Sequence, residues 1–366
     1  MSEPAPLDKE LRRLIAVGGP MPVSRYMSLC LTHPQHGYYV TRDPFGADGD
    51  FTTAPEISQI FGELLGLWAL SVWGMLNEPE RIHLIELGPG RGTMMRDALR
   101  AAKVLPEFRK ALSVHMVEVS PTLERLQREN LSDTGVPVSW HRNLLEVPDG
   151  PAIILANEYL DALPVHQVVK QSDGWHERVI GLDANGELTL GLAADPLPQF
   201  DRFLPKNIKE APIGAVFEWR DDLHAFDIAR RVRDNGAALI IDYGHVEADI
   251  GETLQAVNGH EFVDLLSMPG GSDITAHVDF FTFGQAAGAM GVAVQGPVTQ
   301  ARFLRALGLD ARADALRRGA NEEQAANITS GVSRLTEAGR TGMGELFKVM
   351  AICDPKLGLL PGFEPT

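Results

Sequence analysis

Residues 85–93 read IELGPGRGT. An acid, Glu86, sits near the end of an apolar run, and three glycines follow on alternate positions, Gly88, Gly90 and Gly92. RIHLIEL (81–87), apolar at Ile82, Leu84, Ile85 and Leu87, reads as a buried strand, whereas TMMRDALRAAKV, which follows, has helical spacing. A glycine-rich turn between such a strand and helix either packs the two tightly or lets a ligand lie against bare main chain. A dinucleotide turn spaces its glycines GxGxxG, and a nucleotide-phosphate loop continues into GK[ST]. Here the third glycine comes one residue early and no lysine follows. Glu86 opposes a pyrophosphate and attracts an ammonium group.

The alternation of strand and helix continues outward from this turn. LSVHMVEV (112–119), VPVSWH (136–141), AIILANE (152–158) and ALIIDYG (238–244) read as strands, with helical stretches between them. The succession predicts an α/β fold, a Rossmann-like doubly wound and mostly parallel sheet with helices on both faces. Ligands bind such sheets beyond the carboxyl ends of the strands. That edge gathers Glu86, Glu118, Asn143, Asn157, Glu158 and Asp242, although they are scattered along the chain. Glu118 follows Gly92 by about 26 residues, a spacing that suits the two hydroxyls of a ribose, and Asn143 suits an adenine amine. A zwitterionic amino acid joined to a nucleoside fits an acid at each end, and S-adenosyl-L-methionine is that molecule.

Composition narrows the partners. The chain has 366 residues, 44% of them hydrophobic, and a formal charge of −16, so its overall field repels nucleic acid and anionic lipid. The longest uncharged apolar run, LLGLWALSVWGML (64–76), is shorter than the roughly 20 residues a membrane span needs and reads as a buried helix. Thr53 and Glu56 have the spacing of a capping box for a helix starting near residue 54. Cys30 and Cys353 read as free thiols in a reducing compartment. MSEPAPLDKE has neither a signal core nor the character of a transit peptide, which predicts a cytoplasmic location. His33 and His36, without a third ligand near them in sequence, are assigned no metal.

Two stretches break the rhythm. Residues 165–192 alternate with period two around DG and NG turns and predict an antiparallel insertion, followed by a proline-rich connection over 193–212. DITAHVDFFTF (273–283) and VAVQGPV (292–298) read as the last strands, before a helix capped by Thr299. MGELFKVMAI (343–352) is apolar enough to dock back as a strand or short helix. The expected organisation is an N-terminal helical cap over 1–78 and a core over 79–366, with an insertion at about 165–215 and an extension at about 257–366.

GADGDFTTAPEISQIFGELLG (46–66), ELGPGRGT (86–93), VEVSP (117–121), ANEYLDALPV (156–165), IDYG (241–244), DITAHVDF (273–280) and MGELFKV (343–349) together resemble the MidA-like methyltransferases. That family includes a mitochondrial complex I assembly factor that methylates an arginine of a core subunit. The resemblance covers most of the chain. It implies a class I methyltransferase core, S-adenosyl-L-methionine as donor, and a protein guanidinium, such as one on a respiratory complex I subunit, as acceptor, with arginine methylation of the symmetric type.

The residues carry a matching chemistry. A guanidinium has a pKa above about 12 and sheds a proton as it is methylated, so it needs carboxylates that fix its plane. Glu158 is the first candidate to orient and polarise it, with Asp161 and Asn157 beside it; the bland alternative is that Asn157 and Asp161 cap the turn before Pro164. His277, flanked by Asp273 and Asp279, reads either as a general base with its orienting acids or as a strand with alternating polar residues. Gly49, Asp50 and Thr52 read as a lid over the donor, or as the lead-in to a capped helix. A small-molecule methyltransferase and a non-catalytic donor-binding assembly factor satisfy the glycine and acid pattern equally well. Nothing in the sequence fixes the oligomeric state.

Overall fold

A computed structural model describes residues 5–42, 53–202, 204–339 and 342–365. Seven strands form the main path of its central sheet: β1 (Ile82–Leu87), β2 (Leu112–Val117), β3 (Val138–His141), β4 (Ala152–Asn157), β5 (Gly236–His245), β6 (Ala293–Thr299) and β7 (Phe347–Cys353), and the two-residue strand Val278–Asp279 pairs parallel with the end of β5. Their spatial order is β6-β7-β5-β4-β1-β2-β3. β7 runs antiparallel to both β5 and β6, while the β5, β4, β1, β2, β3 succession is parallel throughout.

The unbroken apolar runs have a simple cause. Leu84, Val114, Ile153 and Leu239 face one buried layer, whereas their neighbours Ile85, Ile154 and Ile240 face the other. Helices Gln59–Met75 and Thr93–Ala101 cover the first face, and helices Leu223–Val232 and Phe280–Ala289 cover the second. The long apolar helix lies very close to its neighbour. A Cβ added at Gly62 would come within 2.7 Å of the Asp97 Cβ, and one at Gly66 within 2.5 Å of the Ala98 carbonyl oxygen. None of the described helices is long and apolar enough to cross a membrane.

A second lobe stands over the carboxyl edge. It combines helices Pro6–Gly18 and Val23–Thr32 with a five-stranded antiparallel sheet, built mainly from His166–Gln171, Gly174–Leu182 and Val216–Trp219. Met21–Pro22 pairs with that sheet, and a three-stranded sheet of Gln255–Asn258, Glu261–Val263 and Asp273–Thr275 completes the lobe. Leu7, Leu11, Tyr26 and Met27 share an apolar cluster with Val165, Ile180, Ile274 and Ala276.

Several sequence expectations are corrected. Packing changes before residue 53 rather than at 78, because the helix Gln59–Met75 lies in the main core while Pro6–Thr32 belongs to the second lobe. Residues 293–299 and 347–353 are not an extension but integral strands of the central sheet. The strand expected over 273–283 breaks after Thr275 and resumes only at Val278–Asp279, in a different sheet; Asp279 accepts a hydrogen bond from the Thr282 N–H at 3.0 Å and so starts a helix at Phe280. The capping box at Thr53 does not form. Ser58 caps the long helix instead, and Glu56 accepts from the Thr93 hydroxyl at 2.6 Å.

Candidate active site

The glycine turn folds as an unusual backbone path. Gly88, Gly90 and Gly92 have φ of 60°, 53° and 78°, a left-handed region costing a residue with a Cβ roughly 1–2 kcal/mol. Space is short as well, since a Cβ on Gly88 would lie 2.9 Å from the Tyr159 ring. Gly88→Ala is therefore expected to weaken donor binding by about tenfold or more, from strain alone plus displacement of that ring. Equilibrium titration with S-adenosyl-homocysteine checks this, and unchanged affinity would count against a ligand on this turn.

Acids bracket the turn. Glu86 is 2% exposed, its Oε2 has no hydrogen-bond partner among the described residues, and burial together with the nearby charge of Glu118 holds its carboxyl well above the usual range. Glu118, at the end of β2, accepts from the Ser120 N–H at 2.7 Å and from the Gln127 amide at 3.0 Å. Burial pushes its carboxyl up to about 7, against those two donors. Gln127 also donates to the Gly90 carbonyl at 2.7 Å and accepts from the Trp140 indole at 2.9 Å, so one amide locks glycine turn, acid and β3 together. Nothing in the sequence marks Gln127, because its three partners come from three separate segments. Asn143 donates to Glu146 at 2.8 Å, which leaves its carbonyl oxygen for another donor. Asp50 and Thr52, expected as a lid, lie outside the described residues.

Beyond β4 the chain turns sharply at Glu158, whose φ of 49° is unusual for a residue with a side chain. The turn is held by β5: the Glu158 N–H donates to the Ile241 carbonyl at 2.9 Å, and Asp242 accepts from the Leu160 and Asp161 N–H groups at 2.9 and 3.1 Å. Asp242 thereby serves the backbone. Glu158 Oε1 accepts from the Ala54 N–H at 3.2 Å and from the Asn157 amide at 3.0 Å. Burial and the charge of Asp161 push the Glu158 carboxyl up to about 7. Asn157 Oδ1 is buried without a partner among the described residues. Asp161 is 6% exposed and raised by burial, with the Tyr243 hydroxyl and Arg220 drawing it back down.

Both groups open into one cleft of about 880 Å³, which passes from Gly88, Gly90 and Glu118 to Glu158, Asp161 and the second lobe. His277 lines it with its ring edge-on to Tyr243 at 5.5 Å, and burial lowers its pKa. Its expected orienting acids are engaged elsewhere. Asp279 caps the helix at Phe280, and Asp273 accepts from the Tyr39 hydroxyl at 2.7 Å. The base-and-orienters reading of DITAHVD is corrected accordingly. Glu10 joins His33 and His36 in space, a third ligand type the sequence spacing concealed. Even so, His33 Nδ1 accepts from the N–H groups of Gln35 and His36, which puts the neutral ring's proton on Nε2, the atom facing Glu10 at 3.3 Å. That tautomer offers a metal no lone pair there.

The doubly wound sheet with an antiparallel β7 inside it, and a nucleoside-sized acid-bracketed cradle at its edge, define a Rossmann-like methyltransferase. The chain belongs to the S-adenosyl-L-methionine-dependent methyltransferase family whose sequence pattern matches residues 64–298. It is 38% identical to the protein arginine methyltransferase NDUFAF7 homolog, mitochondrial, of Drosophila melanogaster, across 94% of this chain and 84% of that protein. The human protein arginine methyltransferase NDUFAF7, mitochondrial, is 35% identical across 96% of this chain and 85% of its own. A crystal structure from Burkholderia thailandensis bound to S-adenosyl-homocysteine covers 100% of this chain and 96% of that one, with TM-score 0.83 and 28% identity. S-adenosyl-L-methionine is the cofactor. The cytoplasmic location expected from the N-terminal residues is corrected by these relatives, which are named mitochondrial.

Proposed function

We propose that this methyltransferase acts on the guanidinium of an arginine in a partner protein, a respiratory complex I subunit being the first acceptor to test. The observation that carries the reading is the pair Glu158 and Asp161, the first half-buried and the second buried, where the donor cradle meets the large cleft. Buried carboxylates with raised pKa values favour an incoming cation, which restores their charge and is held by charge-assisted hydrogen bonds. The arginine methyltransferases named above are similar over most of the chain and support the same acceptor class.

The donor residues fit their ligand by their chemistry. Glu86 Oε2 lacks a partner among the described residues and suits the ammonium, Glu118 suits the ribose, and Asn143 suits the adenine amine. When bound, S-adenosyl-L-methionine supplies a methyl group on a positively charged sulfur. Glu158 orients the acceptor and, with a pKa of about 7, is matched to take the proton the guanidinium sheds near neutrality. Asn157 Oδ1 offers an acceptor beside it for a guanidinium N–H.

The test uses purified protein, donor labelled in the methyl group, and an extract of cells lacking this protein. Label recovered as methylarginine in a protein band is the expected result. Label confined to small molecules, or to residues other than arginine, overturns the proposal.

A further inference from the structure

We propose that the second lobe supplies half of the acceptor site: Asp273, held by the Tyr39 hydroxyl, contacts the guanidinium nitrogens that face away from Glu158 and Asp161. This rests on the guanidinium reading above and adds a residue and a geometry to it.

Four observations carry the assignment. Asp273 is 5% exposed, lines the same cleft as Glu158 and Asp161, and comes from a different lobe. Tyr39 feels the charges of both Asp273 and Asp161, which with burial keep its hydroxyl protonated as a donor. Tyr243 lies against Asp161 and Thr275, so each of the two acids has a phenol beside it and the two walls are built alike. Asn157 Oδ1, 8% exposed by residue and unpartnered among the described residues, adds an acceptor next to Glu158 at the donor end.

The spacing between the walls is fixed by a half-buried arginine that is not itself part of the cleft lining. Arg220 donates to the carbonyls of Leu163 and Asp161 on the core side at 3.1 and 3.0 Å. It donates to those of Ala276 and His277 on the lobe side at 2.8 Å each. Ala276 N–H returns a bond to the Asp161 carbonyl at 3.1 Å. The turn that carries Asp161 and the segment that continues from Asp273 are thus clamped together. A planar, five-donor cation uses acids on two sides, whereas a point-charge ammonium is satisfied by one.

The experiment compares ethylguanidinium and propylammonium as probes, titrated into full-length protein saturated with S-adenosyl-homocysteine. Wild type is expected to prefer ethylguanidinium. Asp273→Asn is expected to lose about tenfold in ethylguanidinium affinity and little for propylammonium, as removal of one charge-assisted contact predicts. Asp273→Glu should recover part of the preference, and unchanged S-adenosyl-homocysteine affinity reports that each variant is folded. Equal ethylguanidinium binding by wild type and Asp273→Asn overturns this proposal while leaving the arginine reading intact. A wild type that binds no ethylguanidinium removes both.

Discussion

Glu158→Gln is expected to lower methyl transfer by about a hundredfold to ten-thousandfold while S-adenosyl-homocysteine binds within about threefold of wild type. Glutamine keeps the shape, and it can still accept from the Ala54 N–H and the Asn157 amide, but it can neither carry charge opposite a guanidinium nor take its proton. The wild-type pH profile has a definite sign. Because the carboxyl is raised to about 7, it is protonated and inactive below that point, so kcat/KM for the acceptor climbs as pH rises through about 7. Glu118 titrates nearby, which is why the profile belongs at saturating donor.

Stability should move the other way. A carboxyl whose folded pKa lies above its ordinary value stabilises the fold at low pH and loses that contribution as pH rises through about 7. The shift from 4.5 to about 7 corresponds to about 3 kcal/mol above neutrality. Glu158→Gln is therefore expected to melt higher than wild type at pH 8, with the gap closing by pH 5. An inactive variant that is also more stable separates a functional acid from a structural one. A variant that keeps a third of wild-type turnover removes Glu158 from the reaction.

The second large effect concerns the donor. Glu86→Gln is expected to weaken S-adenosyl-L-methionine by about 2–4 kcal/mol, or roughly 30- to 1,000-fold, because it removes one partner of a buried charge pair. In the free protein burial and the charge of Glu118 raise the Glu86 carboxyl and so favour its protonated form. An arriving ammonium converts it to the carboxylate, so binding releases a proton and tightens as pH rises. Calorimetry in buffers of different ionisation enthalpy reads that proton directly. Its release from wild type and its loss in Glu86→Gln are the expected results; binding by the variant within threefold would place the ammonium elsewhere.

How much of this was legible in the sequence follows from which interactions are local. Residues 81–87 revealed a strand because both faces are buried, and the acid with alternate glycines beyond it limited the ligand. The apolar heptapeptide at 347–353 was ambiguous, since a run of that length suits a strand or a short helix equally. Thr53 and Glu56 had the right capping spacing, yet Thr93 offered Glu56 a better partner from another segment. Asp279 was the reverse case, a true cap concealed by the alternation of DITAHVD. Gln127 and Arg220 carried no signal at all, because each earns its place through partners that only the folded topology assembles.

The position of β7 sets an order of events during synthesis. Its neighbours on both sides are made earlier, so a nascent chain that has emerged through residue 299 carries the whole glycine turn and both acids while β5 and β6 still hold open hydrogen-bonding edges toward each other. Such edges invite pairing with other chains. The last-made strand is the wedge that closes them, and binding of the nucleoside donor to a fully joined sheet has to wait for it.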